Sequence, residues 1–472
     1  MNKKTQDKLK NAILVLLLPA LLLLFNQSAE ASSHFEGIVA EAGLLAEADT
    51  GTVLFDYNAL KRHPADELTK IMTLLVAVAA IEDGEAEADD LVVMTESAWF
   101  NINANSSTRQ IRPGEEMTLL NLMYSAYVGN ANEACNMIAE HISGSVEAYI
   151  VRMNVLAASI GCNNTNFVNT HGQHNENQYT TARDQFLIFR EAMSKPLFVE
   201  ISGTYRYTLP ETNASDARRL ISNNSLLNQN GKYYYRHCLS GMSSITFEGG
   251  HSFVGMSESE GLSLITVILG SDEIMYEDES VDWRNLTEAR RLFEWGYANF
   301  GMRQIISSTE LVISVPVEHG AGADSINLRP VSSIELLLRN DISLDEFQRD
   351  IVIYSIENDE TLTAPIEAGD VLGHVTITRF SEDGTVFEYD PILLVANTSI
   401  ELHRFVYIQM QISDALSTPA VRNIAIILSI IVAAYIGLVI RYNIIRRKRI
   451  SAIRKAKQKL REERQAHPPD EE

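Results

Sequence analysis

Lys70 sits one turn inside an apolar run, "PADELTKIMTLLVAVAAIE" from Pro64 to Glu82. A buried amine suits base chemistry when a hydroxyl stands one helical turn before it, because the two side chains then face each other. Counting back three residues from Lys70 reaches Glu67, and Pro64-Ala65 is followed by Asp66. No serine occurs between Ser33 and Ser97. Thr69 is adjacent to Lys70, but consecutive helical residues point apart. Glu67 and Lys70 are expected to pair across one helical turn, which keeps the amine protonated and unable to accept a proton.

Other chemistry-bearing residues read as structural. Cys135, Cys162 and Cys238 leave at least one free thiol and show no metal-ligand spacing. Cys135, in an apolar helical stretch, reads as a buried thiol. His171 and His174 in "THGQH" share a glycine-containing loop without a third ligand, so neither a metal nor a cofactor is expected. Arg236, in "YYYRH", reads as a solvated or stacked cation. "TTARD" reads as a helix start, with Thr181 as N-cap and Asp184 completing the capping box.

The two ends set the location. Lys3, Lys4, Lys8 and Lys10 precede "AILVLLLPALLLLF", and "AEA" follows at Ala29–Ala31, so residues 1–31 read as a signal peptide. "NIAIILSIIVAAYIGLVI" lies within a predicted span over 420–441. From Arg441 to Arg464 there are eleven Lys and Arg against two Glu, which predicts a cytoplasmic tail (442–472) and an extracellular remainder. Ile450, Ile453 and Leu460 among those bases suit a helix lying on anionic lipid. The net charge of −23 argues against a nucleic-acid partner.

Between these ends, 472 residues allow more than one core. Helices are expected over Leu68–Ile81, Leu119–Ile142, Val146–Ile160, Thr181–Met193 and Trp283–Phe300. Strands are expected in "GLLAEADTGTVLFDY", turning at Asp-Thr-Gly, and in "HSFVGMSE" and "LSLITVILG". This pattern predicts an α+β domain over 32–303, with an antiparallel sheet built from both chain ends and flanked by helices. Short alternating runs such as "LVISVPV", "IELLLR", "DIVIYSI", "HVTITRF" and "VFEYDPILLVA" predict a small all-β domain over 304–408. A stalk over 409–419 then leads to the span.

"LLAEADTGTVLFDYNALKRHPADELTKIMT" resembles the opening of the serine D-alanyl-D-alanine carboxypeptidases, the low-molecular-weight penicillin-binding proteins. "LLNLMYSAYVGNANEACNMIAEHISGS", "FVNTHGQHNENQYTTARD", "GLSLITVILGSDE" and "TAPIEAGDVLGHVTI" continue the likeness in order. The resemblance implies a β-lactamase-like DD-peptidase fold and three motifs: S-x-x-K, S-x-N and K-T-G. Here their positions hold Glu67 with Lys70, Asn130-Ala131-Asn132, and Ser243-Ser244-Ile245. The nucleophilic serine and the K-T-G cation are missing. The resemblance therefore implies a membrane-tethered homologue that has lost catalysis. It would serve as a cell-wall binding or scaffold module, with peptidoglycan stem peptide or a cell-envelope protein as partner. The alternative is an active carboxypeptidase trimming the terminal D-Ala.

Overall fold

The computed structural model describes residues 35, 37–99, 101–103, 106–276, 281–381 and 385–466. The expected signal peptide, 1–31, lies outside the described residues. The chain divides into two compact units, one reaching Arg303 and including Leu337–Ile342, the other holding the rest.

In the first unit, β1 (Ala42–Glu47) and β2 (Val53–Tyr57) form the expected hairpin, whose turn carries Gly51 at φ +75°. Helix α1 (Thr69–Glu82) follows. It is apolar on nearly every side, so it can only be a central helix, and eleven of its residues are buried. Next come α2 (Leu119–Tyr127), α3 (Asn132–Ser143), α4 (Val146–Ser159), α5 (Ala182–Met193) and α6 (Pro196–Ser202). Strands β3 (Cys238–Thr246), β4 (Gly250–Ser259) and β5 (Leu262–Ser271) precede α7 (Arg284–Asn299). The sheet order is β2-β1-β5-β4-β3, antiparallel throughout.

Both faces of this sheet are covered, which explains why β1 is buried along its whole length. Leu44, Ala46, Val254, Val267 and Leu269 belong to the core built around α1 to α6. Leu45, Phe253, Leu264 and Ile268 belong to a second core with Leu286, Leu292 and Phe293 of α7. The period-2 alternation of strands thus sorts neighbouring residues into different cores.

One expectation needs correction here. The single helix over Leu119–Ile142 is two helices, broken after Tyr127. Asn130 is left-handed at φ +54°, and a Cβ on Gly129 would crowd the Ser125 carbonyl. The stretch carrying Ser243 and Ser244 is a full nine-residue strand, although Ser and Gly are weak strand formers. Pairing with β4 across Met242↔Val254 and its neighbours overrides propensity.

The second unit holds β6 (Ile313–Pro316), β7 (Ser325–Pro330), β8 (Phe347–Ile353), β9 (Val371–Phe380), β10 (Val386–Glu388) and β11 (Ile392–Ala396). They form an antiparallel sheet ordered β6-β7-β11-β9-β8, with β10 on the end of β9. Pro391 splits "VFEYDPILLVA" into two strands because proline cannot donate to a ladder. Helix α8 (Arg404–Ser417) occupies most of the expected stalk. Helix α9 (Pro419–Ala466) contains the apolar run and continues unbroken into the basic segment. It is long and apolar enough to cross a membrane.

Candidate functional site

Four segments of the first unit converge at the start of α1. They are a 3-10 turn over Asp66–Leu68, the α2–α3 junction, the loop around His171, and the β3–β4 hairpin. Lys70 is fully buried, and its Nζ donates to the His171 carbonyl at 2.6 Å. One turn further on, Thr73 Oγ1 donates to the Thr170 carbonyl at 2.5 Å, and Thr73's own carbonyl accepts from Tyr149 at 2.6 Å. Both α1 side chains tie the helix to the 170 loop.

The expected Glu67–Lys70 ion pair is therefore corrected: among the described residues the two do not form one. Glu67 lies in the 3-10 turn before the helix proper, and other partners take both groups, Lys70 being held by the 170 loop. Its Oε1 instead accepts from Asn130 Nδ2 at 2.5 Å and from Ser107 Oγ at 3.2 Å, while Asn130 Nδ2 also reaches Ser107 Oγ at 3.1 Å. Asn132 is buried beside this cluster, its backbone N–H bonded to the Ser107 carbonyl at 3.0 Å. Among the described residues, Oδ1 of Asn130 and Oδ1 of Asn132 lack partners.

Asp66 stands between Pro64-Ala65 and the helix. It adopts φ +44°, which ejects its side chain from the helical path. Its Oδ2 accepts from Thr246 Oγ1 at 2.7 Å, and its Oδ1 is buried without a partner among the described residues. Burial raises the Asp66 pKa above the usual carboxylate range and Glu67 adds to that; Thr246, His63 and His174 work the other way. Two glycines make room for it. A Cβ on Gly172, at φ +87°, would collide with the Asp66 backbone, and one on Gly249 would collide with its carboxylate. Asp66 thus fills the gap between the 170 loop and the β3–β4 hairpin.

The two serines part company because they alternate on a strand. Ser243 Oγ accepts from Asn285 Nδ2 of α7 at 2.8 Å, on the second-core face. Met242, packed in the first core, has the parity of Ser244 and Thr246, so these two share the α1 face. Ser244 Oγ is buried and unpartnered among the described residues. Thr246, the residue that reaches the site from β3, was not singled out in the sequence. Nor was Ser107, whose hydroxyl donates to Glu67. Arg236 lies away from the site, in a cavity beside α7.

His171 is buried and its imidazole is pushed down to about 3 by burial, reinforced by Lys70, so it is neutral at physiological pH. No group of three metal-ligating side chains occurs among the described residues. The arrangement holds one buried amine bonded to a carbonyl, two carboxylates, and two amides. At the position one turn before the amine it presents an acceptor that cannot open an acyl bond as a hydroxyl does.

Residues 27–273 match the family described as D-alanyl-D-alanine carboxypeptidase. The chain is 25% identical over 389 residues to D-alanyl-D-alanine carboxypeptidase DacF of Bacillus subtilis, covering 81% of this chain and 93% of that protein. It is 27% identical over 349 residues to DacA of Haemophilus influenzae, covering 73% and 82%. In fold it is similar to penicillin binding protein 5 of Haemophilus influenzae (TM-score 0.57, 23% identity, 78% of this chain and 100% of that one). It is likewise similar to PBP3 of Streptococcus pneumoniae (TM-score 0.58, 22% identity, 78% and 100%).

Proposed function

The chain belongs to the D-alanyl-D-alanine carboxypeptidase family, and from that membership we propose that it is a catalytically silent, membrane-tethered homologue that binds at the cell wall. The observation that carries this reading is the side chain one turn before Lys70. Where acyl transfer requires a hydroxyl, there is Glu67, held by Asn130 and Ser107. Asp66 adds a second carboxylate, and Ser243 and Ser244 supply no cation for a peptide's terminal carboxylate. An anionic D-Ala-D-Ala end would meet like charge at this site.

Peptidoglycan stem peptide or a cell-envelope protein is the proposed partner of the first unit. The apolar part of α9 is the proposed span, with the basic segment in the cytoplasm by the positive-inside bias. The segmentation read from the sequence, including cleavage of a signal peptide near Ala31, is part of this proposal.

One observation favours a second reading, an active hydrolase. Ser107 Oγ stands 3.2 Å from Glu67 Oε1, a hydroxyl against a carboxylate. Incubating the purified full chain with fluorescent penicillin tests both. The first reading expects no saturable covalent labelling. Labelling that is abolished by Ser107→Ala would overturn it in favour of the second, and an adduct mapped by mass spectrometry to any other side chain would overturn it as well.

A further inference from the structure

On the α7 side of the sheet, two adjoining cavities of about 470 and 400 Å³ share Arg290 and Glu294. The segment Lys232–His237 forms one wall and α7 the other. We propose that this groove is a binding site for an acidic saccharide, held by the Tyr234 ring and by the Arg236 guanidinium.

The aromatic rings are fixed before any ligand arrives. Tyr235 stacks on Phe293 with centroids 6.0 Å apart, His237 lies 6.2 Å from Tyr297, and Tyr297 shares a 2.7 Å hydrogen bond with Ser257. Tyr233 stacks on Trp283 at 5.7 Å and accepts from the Trp283 N–H at 2.7 Å. Tyr234 is more than a third exposed. Tyr235 is buried with Arg290 over its ring and Tyr233 carries Lys232 over its own, so the accessible ring is that of Tyr234, set beside this fixed wall and suited to the flat C–H face of a sugar.

Charge selects the kind of sugar. Lys232, Arg290 and Arg291 pair with Asp282, Glu294 and Glu288, which leaves the Arg236 guanidinium as the local excess of positive charge in a chain of net charge −23. Arg236 spends only Nε internally, donating to His237 Nε2 at 2.8 Å, while His237 Nδ1 faces the Glu258 carbonyl at 3.0 Å. Among the described residues the terminal nitrogens of Arg236 make no hydrogen bond, and a carboxylate can take both at once.

An acidic peptide is the weaker fit. Extended peptides bind by main-chain pairing at an open strand edge, and here the wall is a turn whose backbone is partly used. Tyr235 N–H goes to Leu226, Cys238 N–H to Tyr235, and the His237 carbonyl accepts from Glu258. Recognition must come from side chains. This inference is independent of the reading of the Lys70 site, because none of its residues borders that site.

Isothermal titration of the detergent-solubilised full chain tests it. The probe is a peptide-free glycan of alternating N-acetylglucosamine and carboxylate-bearing N-acetylmuramic acid. Saturable binding is expected, weakened roughly tenfold or more by Tyr234→Ala and by Arg236→Ala, each an exposed position. Neutral chitotetraose should bind more weakly by a similar factor. The proposal is overturned if the glycan does not bind saturably, or if either variant binds like the wild type. Equal or tighter binding of chitotetraose, poly(glycerol phosphate) or an oligoglutamate peptide would also overturn it.

Discussion

Asp66 combines a left-handed backbone, a buried carboxylate and an unpartnered oxygen, and each has a measurable cost. Its folded pKa is raised, so the folded state holds the proton more tightly than the unfolded chain does. The stability this contributes is present below the unfolded value of 3.8 and is lost as pH rises through the folded value. Asp66→Asn keeps the shape, tolerates positive φ and removes that penalty. Its melting temperature at pH 7 should exceed wild type by the equivalent of about 1 kcal/mol, with the pH dependence above 4 flattened. Lys70 behaves differently. Lys70→Met keeps the volume but strands the His171 carbonyl, and thermal melting should show a loss of about 1–3 kcal/mol. Lys70→Ala adds a cavity and should lose more. The missing hydroxyl and the buried amine were both legible in the sequence. Their hydrogen-bond partners were not, because Asn130, Ser107 and the His171 carbonyl lie 40 or more residues away along the chain.

Among elements, the 170 loop and the β3–β4 hairpin act as jaws closed on Asp66. Gly172→Ala would force a Cβ into the Asp66 backbone at a φ of +87°. The expected loss is ~3 kcal/mol or more, read from denaturant midpoints. Deleting Asp66 in that background should recover part of the loss, since the colliding backbone is gone; no recovery would mean that strain at residue 172 alone is responsible. The central helix, the β1–β2 hairpin and the strands of the sheet's centre were readable because their apolar patterns are long. The α2–α3 break was hidden, because "YSAYVGNANEAC" keeps its helical periodicity across a junction interrupted by Asn130's left-handed and Ala131's extended backbone. Strand β3 was equally hidden, since its partner β4 rather than its own composition holds it extended. Thr246 escaped notice for the same reason.

For the whole molecule, the proposed topology rests on the two ends. Removing everything after Thr418 should release the chain from the membrane pellet, and retention there would point to another anchor. The family was legible because the likeness runs through both compact units; a function was less so, since the three motif positions hold Glu67, Asn130 and Ser243. One feature reaches beyond any site. Cys135, Cys162 and Cys238 are all free and buried, and burial pushes each thiol up to about 12. Native molecules should therefore resist a thiol-alkylating reagent at pH 8, and modification should proceed only as fast as the first unit opens. Each intact copy carries its own stopwatch for unfolding. In oxidising surroundings the same sulfurs make a chain that lingers open prone to cross-link with its neighbours, so prompt closure of the core guards against covalent aggregation.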